Sequence, residues 1–198
     1  MVRSIYLIAM MVTTFSSFAG GGGGIQDRST LFRASLTISP GYLLSQQEST
    51  IYLQGMAEYF VSEKVSIIGD GFWLTPKSAE SGSLRQSVSG LFGAAYHFMD
   101  NGLIDPWVGL QPGIAQVAMY NQQDLLTSET SITPVVSIST GLTLQVNRWF
   151  YLFGQARFVS GNADLPSTFD SKLNEIRGSF GLGFSFISDS KCNTCPTW

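Results

Sequence analysis

Seven ionisable residues recur at one parity within alternating apolar–polar segments: Arg33, Glu58, Asp70, Arg85, Arg157, Glu175 and Arg177. Gln54, Gln111 and Gln155 sit on the same faces. In an extended chain successive side chains point to opposite sides, so this parity gathers the polar groups on one face. Their companions there are mostly Ser, Thr and Gly, although Asp70 shares its face with Ile68 and Phe72. Both signs of charge occur. Opposite charges enclosed together can satisfy one another, whereas an unpaired enclosed ion is very costly. The set therefore reads as an ion-paired, hydrogen-bonded filling of an interior. The sharper alternative is a gate or a narrow passive pore for small solutes or ions.

Two further groups carry reactive side chains. The chain has one histidine, His97, on the polar face of its segment. Hydrolysis of a lipid or a peptide needs a nucleophile or activated water and a base. The sequence offers His97 no evident Ser–acid pairing, and Met99 stands where the His-x-Ser spacing of lipid A deacylases would place the serine. A lipid-modifying enzyme is therefore disfavoured, and no catalytic residue is assigned. The tail carries Cys192-Asn193-Thr194-Cys195. In an oxidising compartment such a pair defaults to a small disulfide loop. An intermolecular docking role, or redox or metal chemistry, remains open, but two thiols alone do not complete a tetrahedral zinc site. No cofactor is implied. The run Gly20–Gly24 is not a phosphate loop, because no GK[ST] follows it.

The elements that must position these residues follow from composition and period. Charged residues make up 13% of the 198, too few to coat a water-soluble globule when about 25% is ordinary. Met1–Ala19 has a basic Arg3, an apolar run from Ile5 to Val12, and small residues at Ser17 and Ala19. That is the layout of a secretory signal peptide. Without Arg3 the balance is 10 basic against 14 acidic residues, a net charge of −4 with no basic patch, which disfavours nucleic-acid binding. No later stretch approaches the roughly 18 consecutive apolar residues of a membrane helix.

Period-2 segments recur instead, near 30–44, 50–61, 65–75, 84–98, 106–120, 130–146, 149–160 and 174–188. Their lengths suit tilted membrane strands, which need about 9–11 residues to cross the apolar core. In the last segment Phe180, Leu182, Phe184 and Phe186 share one face, and Gly181, Gly183 and Ser185 the other. The apolar faces suit lipid, and the small polar faces suit a narrow lumen. Every backbone polar group in hydrocarbon must be paired, so the sheet has to close. The predicted fold is an all-β, closed, antiparallel eight-stranded transmembrane β-barrel. Pro112 removes a ladder donor, so a bulge or local break is expected there. Aromatic residues near strand ends (Tyr42, Tyr59, Trp73, Phe98, Trp107, Tyr120, Trp149, Phe150, Phe158 and Phe186) are candidates for two interfacial girdles. Connections at 61–64, 99–105 and 147–149 are short; those at 76–83, 121–129 and 161–173 are longer, and the one near 45–49 is short again.

The run Ser179-x-Gly181-x-x-Phe184-x-Phe186 resembles the terminal-strand signal that the insertion machinery reads in bacterial outer-membrane proteins, although here a tail follows it. Gly93–Ile114 is similar to the fourth strand, short turn and "P-x-V-G-x-G" fifth strand of the small OmpA/OmpX/OmpW-like barrels; Pro106, Val108 and Gly109 match, and Gln111 replaces a glycine. The resemblance implies an eight-stranded barrel in the bacterial outer membrane, with both termini periplasmic. It implies no single function, since one fold hosts many. The expected organisation is a signal peptide at 1–19, a Gly-rich leader at 20–29, the barrel at 30–188 and a periplasmic tail at 189–198. The expected partners are outer-membrane lipid, the barrel-insertion machinery and a larger envelope complex. The expected role is structural or that of an accessory subunit. A secreted, lipocalin-like binder would need the two faces exchanged.

Overall fold

The computed structural model describes residues 28–75, 84–99, 103–120, 128–162 and 172–187. The side chains at 84–85, 119–120, 128–130 and 187 fall outside that description. So do the expected signal peptide, most of the Gly-rich leader, and the tail with Cys192 and Cys195.

Eight strands form: β1 (Leu31–Leu43), β2 (Glu48–Phe60), β3 (Val65–Leu74), β4 (Leu84–His97), β5 (Ile104–Tyr120), β6 (Ser128–Gln145), β7 (Phe150–Gly161) and β8 (Glu175–Ile187). Each pairs antiparallel with the next, and β8 pairs with β1, so the sheet is a closed barrel. Every strand boundary lies within two residues of the alternation in the sequence. Closure removes sheet edges, the condition for a β-structure in hydrocarbon.

The alternation decides the faces. Leu36, Ile38, Phe92, Ile114, Ile132 and Phe180 are among the most exposed apolar side chains of the outer wall, Phe180 reaching 77%. The opposite face buries arginines, carboxylates, glutamines and serines. A soluble barrel would show the reverse, so the outward solvent is hydrocarbon. The glycines of β8 now have a reason. A Cβ at Gly183 would lie 2.2 Å from the ring of Tyr151, so that position must stay bare for the ring to fit inside.

The short connections are fixed locally. The Asn147 side chain accepts from the amides of Trp149 and Phe150 at 2.8 and 2.9 Å, which closes the β6–β7 turn. The Ser62 hydroxyl accepts from the Val65 amide at 3.1 Å in the β2–β3 turn.

One expectation holds in one of its two forms, and another needs correction. Pro112 brings the local break and not the bulge: β5 runs through it, and Pro112 stays opposite Val136 of β6. The missing donor shows on the other side, where β4–β5 pairs lapse between Leu91↔Gly113 and Ala94↔Leu110 and then resume in the same register. The register shift of that ladder falls instead between Leu84 and Gln86, at Arg85. Trp107 does not join a girdle; it is 4% exposed and points into the barrel. Its ring lies over Gly141, where a Cβ would come within 2.8 Å of it. Tyr42, Tyr59, Trp73, Phe98, Trp149, Phe158 and Phe186 do face outward.

Candidate functional site: the charged lumen

Six of the seven ionisable residues singled out by alternation (Arg33, Glu58, Asp70, Arg157, Glu175 and Arg177) are buried in the lumen. The side chain of the seventh, Arg85, lies outside the described residues. Two further ions join them, Arg28 and Asp105. Among the described residues four arginines thus meet four carboxylates inside the barrel.

They sort into three groups along the axis. The group nearest the termini is built by β1, β2, β4 and β5. Arg33 reaches Asp105 at 3.3 Å and Glu58 at 3.5 Å. Its guanidinium lies over the rings of Phe60 and Tyr151, at 4.8 and 5.3 Å from their centroids. Arg28 enters from below the first strand: its guanidinium is 3.0 Å from Asp105 and donates to the Met99 carbonyl at 3.1 Å. A tight turn places it there, with the Leu31 amide on the Arg28 carbonyl at 2.9 Å and Thr30 at a φ of 80°. A positive φ is strained for a β-branched residue, so this entry turn is held by its contacts.

The middle group centres on Asp70. Arg157 meets one carboxylate oxygen at 2.6 Å and Gln111 donates to the same oxygen at 2.7 Å; Gln54 donates to the other at 2.8 Å. Ser179 closes the ring by donating its proton to Gln54 at 2.5 Å, with Ser39 Oγ 2.9 Å away. Asp70 shares its face with Ile68 and Phe72 because a paired carboxylate is compatible with apolar neighbours. The group nearest the longer loops is Glu175. It accepts from Arg177 at 2.8 and 3.0 Å, from Thr50 at 2.6 Å and from Tyr52 at 3.0 Å. Gly41 leaves room for it, since a Cβ there would fall 2.5 Å from Thr50 Oγ1 and 2.7 Å from Glu175 Oε1. Phe72 joins the two groups, with Arg177 and Arg157 over its ring at 4.5 and 5.2 Å. Leu43, Leu91, Val117, Val135, Val159 and Leu173 then fill the lumen in an apolar cluster together with Tyr52 and Phe72.

His97 has the acid and serine partners that the sequence did not reveal. Its Nδ1 lies 3.0 Å from Asp105, and its Nε2 lies 3.0 Å from both Ser66 Oγ and Glu58. The distances are those of a Ser–His–Asp relay, but the arrangement is occupied. Ser66 donates its proton to Glu58 at 2.7 Å. The ring has a carboxylate at each nitrogen, so it serves as a double donor rather than as a base for Ser66. Both residues are 0% exposed, so no substrate reaches the hydroxyl. The group holds the ends of β2, β3, β4 and β5 together.

Of the terminal-strand signal, Phe184 and Phe186 face outward and Ser179 faces inward; Gly181 is on the inner face of β8. The alternation missed Arg28, which belonged to the leader, and Asp105, which belonged to a turn. It also passed over Ser66 and Tyr52, ordinary strand residues whose polar atoms matter only once their partners are known.

No protein-family model matches this chain, and no curated protein matches it. Solved structures do. The N-terminal β-barrel domain of Pseudomonas aeruginosa OprF matches with a TM-score of 0.58 at 14% identity, over 81% of this chain and 100% of that one. Neisserial surface protein A matches with a TM-score of 0.57 at 13% identity, over 79% and 96%. Ail, the attachment invasion locus protein of Yersinia pestis, matches with a TM-score of 0.56 at 13% identity, over 80% and 99%. At these identities the likeness is one of fold. The chain has the fold of the eight-stranded outer-membrane β-barrels.

Proposed function

We propose that this protein is a non-enzymatic barrel of the bacterial outer membrane, with a structural role as an accessory subunit of a larger envelope complex. The filled lumen carries the reading. Three ion-paired groups and an apolar cluster occupy the interior, and an eight-stranded barrel is just wide enough to be filled in this way. Among the described residues, the interior is taken up by these side chains rather than left as a cleft for a substrate or a path for a solute.

The outer wall supports a partner. Across β2, β3 and β4 the residues Gly55, Ala57, Gly69, Gly71 and Gly90 leave a shallow depression edged by Phe92. Small residues let another membrane segment approach closely. The short β1–β2 turn at 44–47 adds little surface beyond the membrane. β1 begins and β8 ends at the end of the barrel with the short turns, which is the periplasmic end in outer-membrane barrels.

Gentle detergent extraction from native membranes, followed by sizing and mass spectrometry of what co-elutes, tests this. A defined larger assembly is expected. Elution as a lone detergent-bound monomer at every detergent tried would contradict the subunit role.

A further inference from the structure

The barrel wall is laddered continuously at six of its eight strand pairs. β4–β5 lapses at two positions, and the β1–β8 seam lapses further. Its pairs run from Leu31↔Ile187 to Ser35↔Gly183 and resume only at Gly41↔Arg177. Both flanks keep one register, so Ile38 stands opposite Phe180 and Pro40 opposite Gly178. Pro40 has no N–H to give. The Gly178 carbonyl accepts instead from Ser39 Oγ at 3.0 Å, and the Phe180 carbonyl from Thr37 Oγ1 at 2.8 Å. By the alternation of an antiparallel ladder, the amides of Leu36, Ile38, Gly178, Phe180 and Leu182 face the same gap. Outside it stand Leu36, Ile38 and Phe180, among the most exposed apolar residues of the wall. Hydrocarbon cannot satisfy an amide, so the missing bonds must come from inside.

The residues behind the gap are not all equally buried. Ser35, Phe153, Gln155 and Ser179 keep 6–8% of their surface accessible, and Thr37 and Gly181 are only half-buried, whereas Ser39, Gln54, Ser137 and Ser185 keep 0%. Gln155 is 7% exposed, and both ends of its amide lack a partner among the described residues. Ser139 Oγ and Arg157 Nε lack one too. A buried primary amide with neither end bonded belongs in a polar cavity that water can bridge.

We propose that the lumen beside the β1–β8 seam is a water-binding chamber. Gln155, Ser139 and Arg157 hold its waters, and those waters complete the interrupted ladder between Leu36–Pro40 and Gly178–Leu182. Thr37 and Ser39 act as latches across the gap. The seam is then the softest line of the wall, wetted from within and faced by lipid without.

Residue-resolved hydrogen exchange on the full chain in lipid nanodiscs tests the seam. The amides of Leu36, Ile38, Phe180 and Leu182 are expected to exchange at least about tenfold faster than those of Ser137–Leu142 of β6, which is paired on both sides. Pro40→Val should slow them by restoring a donor opposite Gly178. The Gln155 side-chain amide should show a magnetisation-transfer contact to long-lived water. A Gln155→Leu variant separates a wet chamber from a dry one. A dry chamber gains from losing an unpaired amide, so its unfolding midpoint would rise; a wet one loses water bonds, so its midpoint falls. Seam protection equal to that of Ser137–Leu142 in β6, or a raised midpoint in Gln155→Leu, would overturn the proposal. Should that variant fail to fold, exchange in the unmodified chain decides alone.

Discussion

The two halves of the lumen are closed by different physics. Near the termini, Arg28, Arg33, Glu58, His97 and Asp105 form one web of charges in which each carboxylate serves several donors. Toward the longer loops, Leu43, Leu91, Val117, Val135, Val159 and Leu173 close the space with hydrocarbon over the Glu175–Arg177 pair. Charge closure is directional and brittle, because removing one partner strands the others in a dry interior. Apolar closure is graded, because a lost methyl group costs only its own transfer and cavity terms. The difference shows where the barrel tolerates change and where it does not.

The largest effect should follow from Asp105→Ala, which strands Arg28, Arg33 and His97 together. A loss of about 3–5 kcal/mol is expected, read from urea refolding curves in lipid vesicles. Adding Arg28→Ala should recover part of that loss, since one stranded charge is removed; strictly additive losses would show that the web is not a unit. Asp70→Ala should cost a similar amount by leaving Arg157, Gln54 and Gln111 unpaired. Next comes Leu91→Ala in the apolar half, at about 2–4 kcal/mol, with the heat-modifiable shift on gels retained. If it cost more than Asp105→Ala, the contrast between the halves would be wrong. The smallest effect belongs to Gly183→Ala, which presses a methyl group on the Tyr151 ring and should cost about 1–3 kcal/mol.

Much of this was legible in the sequence, and the misses have definite causes. A period of two fixes each face, so Phe180, Leu182, Phe184 and Phe186 fall outside, and Arg33, Glu58, Asp70, Arg157, Glu175 and Arg177 fall inside. Trp107 was misplaced by residue type: it has the parity of the inward Gln111, but an aromatic near a strand end reads as a girdle residue. β5 begins at Ile104, and Asp105, Trp107, Gly109 and Gln111 share the inner parity. A strand begun at 106 hid Asp105 in a turn. Arg28 could not be found by periodicity, because it precedes the first strand and enters through a strained turn at Thr30. The relay around His97 joins residues 8 to 39 positions apart on four strands. Alternation gives the face of each residue but not the stagger between strands, and the stagger decides which inward groups meet.

The central claim is that the lumen is closed. Purified barrel reconstituted into a planar bilayer at physiological salt measures this directly. The account predicts a silent membrane, with no discrete current steps for the native chain and steps appearing when the Asp70 group or the Leu43–Leu91–Val135 cluster is truncated. Steady single-channel current through the native chain would contradict it and make the narrow passive pore the better reading.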